Sequence, residues 1–129
     1  GGRDVRFVVE GSSEARAARV NGDGNYLEQV FMNLLLNSLE AMRPSGTVRI
    51  RFKADEETVQ VRIHDSGPGI PIGVQGKIFD PFFTTKQTGT GLGLSICQRV
   101  IHEHGGVLAL DPDVKRGAAF IIKLPRELR

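Results

Sequence analysis

The sequence predicts an α+β fold, a two-layer α/β sandwich with helices on one face of a mixed, mostly antiparallel sheet. Three observations predict it. The runs TVRIRFKA (47–54) and TVQVRIHD (58–65) alternate apolar and polar residues on either side of an acidic turn at 55–57. GNYLEQVFMNLLLNSLEAM (24–42) and a second segment from Leu92 to His104 carry helical spacing. Two further apolar runs, VLAL (107–110) and AAFIIKL (118–124), close the chain around a turn at 111–117.

Taken in order, VRFVV (5–9) is expected as a short strand and AARV (17–20) as another, with GSSEA (11–15) a turn between them. Asp23 is placed to cap the first helix and Pro44 to stop it. Alternation puts Val48, Ile50 and Phe52 on one face of the next strand and Val59, Val61 and Ile63 on one face of its partner, a hairpin pattern. From Ser66 to about Thr90 the chain is rich in Gly, Pro and Thr, with one turn expected near Lys77. So long an irregular stretch inside a compact domain is usually functional or disordered, and its position suits a lid over a ligand. The second helix presents Leu94, Cys97, Val100 and Ile101, and Gly105-Gly106 should end it with a left-handed cap.

A length of 129 residues suits one domain with one core, spanning 1–129. Seventeen basic residues stand against fifteen acidic ones, for a formal charge of +2. No Lys/Arg block or basic run with interleaved aromatics occurs, which argues against a nucleic-acid partner. A single cysteine, Cys97, can form no internal disulfide and suits a reducing compartment as a buried small side chain. No membrane-spanning segment or signal peptide is visible, so a cytoplasmic domain without direct membrane contact is expected. Gly1-Gly2 reads as either a cloning scar or the cut edge of a larger protein, whose own anchoring stays open.

Three groups of residues carry candidate chemistry. Asn33 and Asn37 interrupt an apolar helical run four residues apart, on one face. They either hydrogen-bond the neighbouring structure or offer an amide oxygen to a hard cation such as Mg²⁺, with the second amide near phosphate. Asp65 falls on the buried face of its strand and is followed by SGPGI. Its carboxylate either caps the loop as an Asx-turn acceptor or takes a hydrogen bond from an exocyclic amine such as adenine N6. Gly67 and Gly69 would let a planar ligand approach the backbone. Finally, Gly89, Gly91 and Gly93 precede a helix, as in a phosphate-binding loop or an ordinary flexible one.

The segments NLLLN, DSGPGI, IFDPFFTTK and GTGLGLSI occur in this order, and together they resemble the N, G1, F and G2 boxes of the GHKL ATP-binding superfamily. The set is most similar to the catalytic domain of bacterial two-component sensor histidine kinases, from Asp23 to Leu124. This resemblance implies the Bergerat-type ATP-binding fold, with ATP and Mg²⁺ as ligands. By position, Asn37 is implied as the Mg²⁺ ligand, and Asn33 would lie beside metal and triphosphate. Asp65 would select adenine, with Gly67 and Gly69 shaping the base pocket. Phe79, Phe82 and Phe83 would anchor the hinge side of a lid and help dock the partner domain. Lys86 would reach the phosphates from that lid. Gly89, Thr90, Gly91, Leu92 and Gly93 would line the phosphates, the glycines presenting N–H groups.

In the hydrolysing relatives a glutamate occupies the position of Asn33. An amide has no basic lone pair at neutral pH, so the resemblance implies slow hydrolysis and a kinase. Asn33 and Lys86 are then the implied catalytic residues. The implied partner is a dimerisation and phosphoacceptor helical hairpin absent from this chain, with a response regulator served indirectly and the fragment itself monomeric. Alternatives are a serine kinase acting as an anti-sigma factor, a true ATPase, and a degenerate docking module. Glu40 stands where many sensor kinases carry Lys or Arg, and the short lid resembles the nitrogen-regulation type. His64, His102 and His104 lie outside any acceptor hairpin, and His102 is expected at a helix end.

Overall fold

A computed structural model of the chain describes residues 4–13, 15, 18–20, 22, 24–42, 45–81 and 93–127. Five strands form one sheet in the order β1-β2-β3-β5-β4, where β1 is Asp4–Gly11, β2 Ser45–Ala54, β3 Thr58–Asp65, β4 Val107–Leu110 and β5 Ala118–Pro125. Parallel strands need a crossover, and helix α1 (Gly24–Ala41) supplies it between β1 and β2. The other pairings are antiparallel. Helix α2 is a single turn, Ile72–Gln75, and α3 spans Leu94–Glu103.

The hairpin expectation holds. Val48, Ile50 and Phe52 lie opposite Asp65, Ile63 and Val61 in register, so the alternating apolar residues share a face. Asp55 builds the turn: its Oδ1 accepts the backbone N–H groups of Glu57 and Thr58 at 2.8 and 2.7 Å. Those bonds, Thr58 first, hold its carboxyl below the usual range near 3.8.

Helix α1 buries Leu27, Val30 and Leu34, and α3 buries Cys97 and Ile101, against Val61, Ile63, Phe120 and Ile122 of the sheet. Both long helices therefore cover the same sheet face. Neither α1 nor α3 lies on the opposite face.

Some expected details differ. Residues 18–20 form no strand, and Ser13 and Ala15 are helical where a turn was expected. Ser12 Oγ accepts the Ala15 N–H at 3.0 Å, a cap that competes with extension. Helix α3 starts at Leu94 rather than Leu92, because Gly93 is extended (φ −73°, ψ 170°) and acts as the cap residue. Asp23 and Pro44 lie outside the described residues. The end of α3 is as expected: Gly105 has φ +78°, and the N–H groups of Gly105 and Gly106 return to the carbonyls of His102 and Ile101, both at 2.9 Å.

Ser38 Oγ on α1 is buried and meets no hydrogen-bond partner among the described residues. An unmet buried hydroxyl costs about 1–3 kcal/mol. Ser38→Ala should therefore raise the free energy of unfolding by roughly 1 kcal/mol, read as a higher urea midpoint at unchanged slope. A lower midpoint would mean the hydroxyl is bonded.

Candidate nucleotide site

Asp65 is the last residue of β3, flanked in register by Val48 of β2 and Ala118 of β5. It is 3% exposed. The Gly67 N–H donates to its Oδ1 at 2.9 Å, so the Asx turn expected as one alternative is present. Burial pushes the Asp65 carboxyl up from its ordinary value, opposed by backbone bonds from Gly67 and Ala118 and by nearby His64. A carboxyl so dry gains from any further donor placed against it.

Gly117 makes this corner possible. Its φ is +77°, and a Cβ there would lie 1.8 Å from the Asp65 carbonyl oxygen. Gly69, φ +85°, packs on the same spot, since its Cβ would come within 2.9 Å of the Gly117 carbonyl oxygen. The bare side of Gly67 turns instead toward α1, with the Ala41 carbonyl oxygen 2.9 Å from where a Cβ would sit.

That contact ties the Asp65 loop to the end of α1. Ser66 ties the loop to β2 as well: its Oγ accepts the Thr47 N–H at 2.9 Å and its N–H donates to the Thr47 carbonyl at 3.1 Å. Met42 Sδ lies 3.4 Å from the same Ser66 nitrogen. Asn37 is half-buried one turn before Ala41, so α1 carries it toward the Asp65 loop.

One turn earlier, Asn33 is buried and hydrogen-bonds the thiol of Cys97 on α3. Burial pushes that thiol up, and the Asn33 bond works against it. Cys97 is thus buried, as expected, but it also joins the N-terminal half of α3 to α1. The N-terminal half of α3, whose first backbone N–H groups are left unpaired and whose dipole is positive there, is joined to Asn33 in this way. Phe79 reaches the core as expected, its ring edge-on to Phe120 with centroids 6.2 Å apart.

Packing therefore brings Gly67, Gly69 and the end of α1 to Asp65, and Asn33 to Cys97, one turn into α3. Lys86, Gly89, Thr90, Gly91, Leu92, Phe82 and Phe83 lie outside the described residues. His102 is exposed in the last turn of α3. His64 Nε2 meets the Arg116 carbonyl at 2.8 Å, and His104 Nδ1 meets that of Val100 at 2.8 Å. Each of those nitrogens carries its proton, since a carbonyl only accepts. Sequence reasoning missed Gly117 and the Asn33–Cys97 bond. A glycine just before a strand was the available signal for the first; nothing in the sequence announced the second.

Cys97→Val should leave the buried Asn33 amide without this partner and destabilise the domain by about 1–2 kcal/mol, although valine fills the space well. Cys97→Ser, which restores a polar partner, should recover part of the loss in the same thermal melts. Equal melting of the valine variant and the parent would show that the bond contributes nothing.

Comparisons with known proteins agree with this fold. Residues 22–128 match the family described as Histidine kinase-, DNA gyrase B-, and HSP90-like ATPase. Sporulation kinase A of Bacillus subtilis (strain 168) is 43% identical over 121 residues, which are 94% of this chain and 20% of that protein. Signal transduction histidine-protein kinase AtoS of Escherichia coli (strain K12) is 39% identical over 122 residues, again 94% and 20%. The chain thus spans about a fifth of the length of these curated relatives. Among solved structures, the nucleotide-free catalytic domain of histidine kinase ThkA superposes with a TM-score of 0.84 at 39% identity, covering 95% of this chain and 79% of that one. ThkA in complex with the response regulator protein TrrA gives 0.80 at 36% identity, covering 95% and 34%.

Proposed function

Since the chain belongs to the family of histidine kinase-, DNA gyrase B- and HSP90-like ATPases, we propose that it is the ATP-binding catalytic domain of a sensor histidine kinase. It binds Mg-ATP and donates the γ-phosphoryl group to a histidine on a separate dimerisation and phosphoacceptor hairpin. The observation that carries the reading is Asp65, a dry carboxylate at the end of a strand, braced by Gly67, Gly69 and Gly117.

Asp65 accepts the adenine N6–H and so rejects guanine, whose carbonyl at that position would face it acceptor to acceptor. Asn37 offers its amide oxygen toward the triphosphate, with Asn33 behind it. Among the described residues no cluster of three or more His, Cys, Asp or Glu could hold a metal alone. One amide oxygen, completed by phosphate oxygens and water, is a donor set that suits Mg²⁺. Magnesium, when bound, neutralises phosphate charge. Lys86 and the backbone N–H groups of Gly89, Thr90, Gly91, Leu92 and Gly93 supply the remaining positive field and hold the γ-phosphoryl group in line. Asn33, an amide where a water-activating glutamate would serve hydrolysis, leaves the bound nucleotide intact until the acceptor arrives. The TrrA complex of ThkA supports a response regulator as the downstream partner. No described helix is long and apolar enough to cross a membrane.

The test supplies the phosphoacceptor hairpin of the parent kinase in trans, with γ-labelled ATP and Mg²⁺. Acid-labile label on the hairpin histidine, dependent on this domain and lost in Asp65→Asn, is the expected result. Label on the domain itself, or only free phosphate, would overturn the proposal.

A further inference from the structure

The sequence shows its basic residues scattered, but the strands gather them. Side chains alternate across a sheet, so Arg49, Arg51 and Lys53 of β2 share the face opposite α1 and α3 with Arg62 of β3 and Lys123 of β5. Arg6 of β1 joins them through its pairing with Thr47. Among the side chains the structure describes, the carboxylates seated in this face are Glu10, which pairs with Arg49 and lies 3.5 Å from Arg51, and Asp111, 3.1 Å from Arg62. Arg6, Lys53 and Lys123 have no ion pair among the described residues. The chain as a whole carries only +2, so this face holds more positive charge than the rest of the molecule.

The arrangement is not one that stability favours. Arg51 stands directly opposite Arg62 in the β2–β3 register, and like charges facing across strands are destabilising. Beside Lys53 and Gln60 the face opens into a depression of about 430 Å³, also lined by Ser12 and Phe52.

We propose that this open sheet face is a docking surface for an extended acidic segment of a partner protein. Three observations select that occupant. Arg49, Arg51 and Lys53 recur every second residue, at about 6.6–6.8 Å, the pitch at which an extended polypeptide presents alternate carboxylates. The guanidiniums already engage carboxylates in Glu10 and Asp111, so partner carboxylates meet geometry the face has in place. Among the described residues of β1, β2, β3 and β5, no Phe, Tyr or Trp alternates onto this face, and Phe52 meets only the depression, so there is no row of large rings on which nucleic-acid bases could stack. The surface lies across the sheet from the nucleotide site, so the two can be occupied together.

The experiment titrates the domain with a fluorescein-labelled peptide of six Glu-Ala repeats, followed by anisotropy at low and physiological salt. A single-stranded oligonucleotide of equal charge is run in parallel. Saturable peptide binding is expected, weakened by salt, tighter than oligonucleotide binding, and weakened at least tenfold by Arg51→Gln/Lys53→Gln. Lys53→Gln/Lys123→Gln, which leaves every ion pair of the face intact, should also weaken it, with ATP retention unchanged in both variants. Three results would overturn the proposal: no peptide binding, tighter oligonucleotide binding, or an equal loss in the control Lys77→Gln, distant from the face.

Discussion

Gly117→Ala is expected to destabilise the domain by roughly 3 kcal/mol or more, because two penalties add. The first is conformational: φ is +77° there, a region that costs an L-residue about 1–2 kcal/mol. The second is steric. The new Cβ would lie 1.8 Å from the Asp65 carbonyl oxygen and 2.8 Å from its carbon. Both atoms are backbone within a paired strand, so neither can turn aside as a side chain would. Domains of this size are stable by only about 5–15 kcal/mol, so the loss would be visible as a urea midpoint lower by about 1 M or more. Gly73→Ala is the internal control. Nothing lies within 4 Å of its added Cβ, and it sits in α2, where alanine is the better helix former. Equal midpoints for the two variants would contradict the close approach of Gly117 to Asp65.

Asp65→Asn should separate function from stability. Under the proposed function the carboxylate accepts from adenine N6 while Gly67 and Ala118 donate to it. With one oxygen replaced by an amide NH₂, a donor must face a donor at one of these contacts. The loss of a hydrogen bond to a charged acceptor, about 1.5–3 kcal/mol, predicts ATP binding weaker by roughly ten- to a hundredfold. Stability should move the other way. The folded-state pKa of Asp65 is raised above its ordinary 3.8, chiefly by burial. Its contribution is therefore fully present below about 3.8 and is lost as pH rises through the elevated value, leaving a net cost at neutral pH. Asparagine removes that cost. The variant should melt at or above the parent temperature near pH 7, with the difference shrinking in acid. Asp55 and Asp111, whose carboxyls are held down, lose stability as pH falls, but they do so equally in both proteins and cancel in the comparison. A variant that melts lower at pH 7 would show that the ionised carboxylate supports the fold.

The strands were legible because half-buried strands write their faces into the sequence with a period of two. Val48, Ile50 and Phe52 on β2 and Val59, Val61 and Ile63 on β3 needed no other information. The same alternation, continued by two residues, puts Asp65 on the buried side, where it lies. What stayed hidden depends on register between distant segments. Gly117 matters only because Ala118 pairs with Asp65, and Cys97 reaches Asn33 only because α3 packs on α1. Charge was misleading for a related reason. Arg49, Arg51, Lys53 and Arg62 are separated along the chain by apolar residues, and only the pleat assembles them. The short helical stretch at Ser13 and Ala15 was missed because its signal is one capping hydroxyl.

The most direct test of ATP binding without hydrolysis is retention of γ-labelled ATP by this domain with Mg²⁺, scored together with released phosphate and repeated with GTP. Retained ATP, little GTP and negligible phosphate release over many minutes is the predicted outcome, since under the proposed function Asp65 selects adenine and Asn33 does not activate water. Rapid phosphate release, or equal retention of GTP, would contradict it.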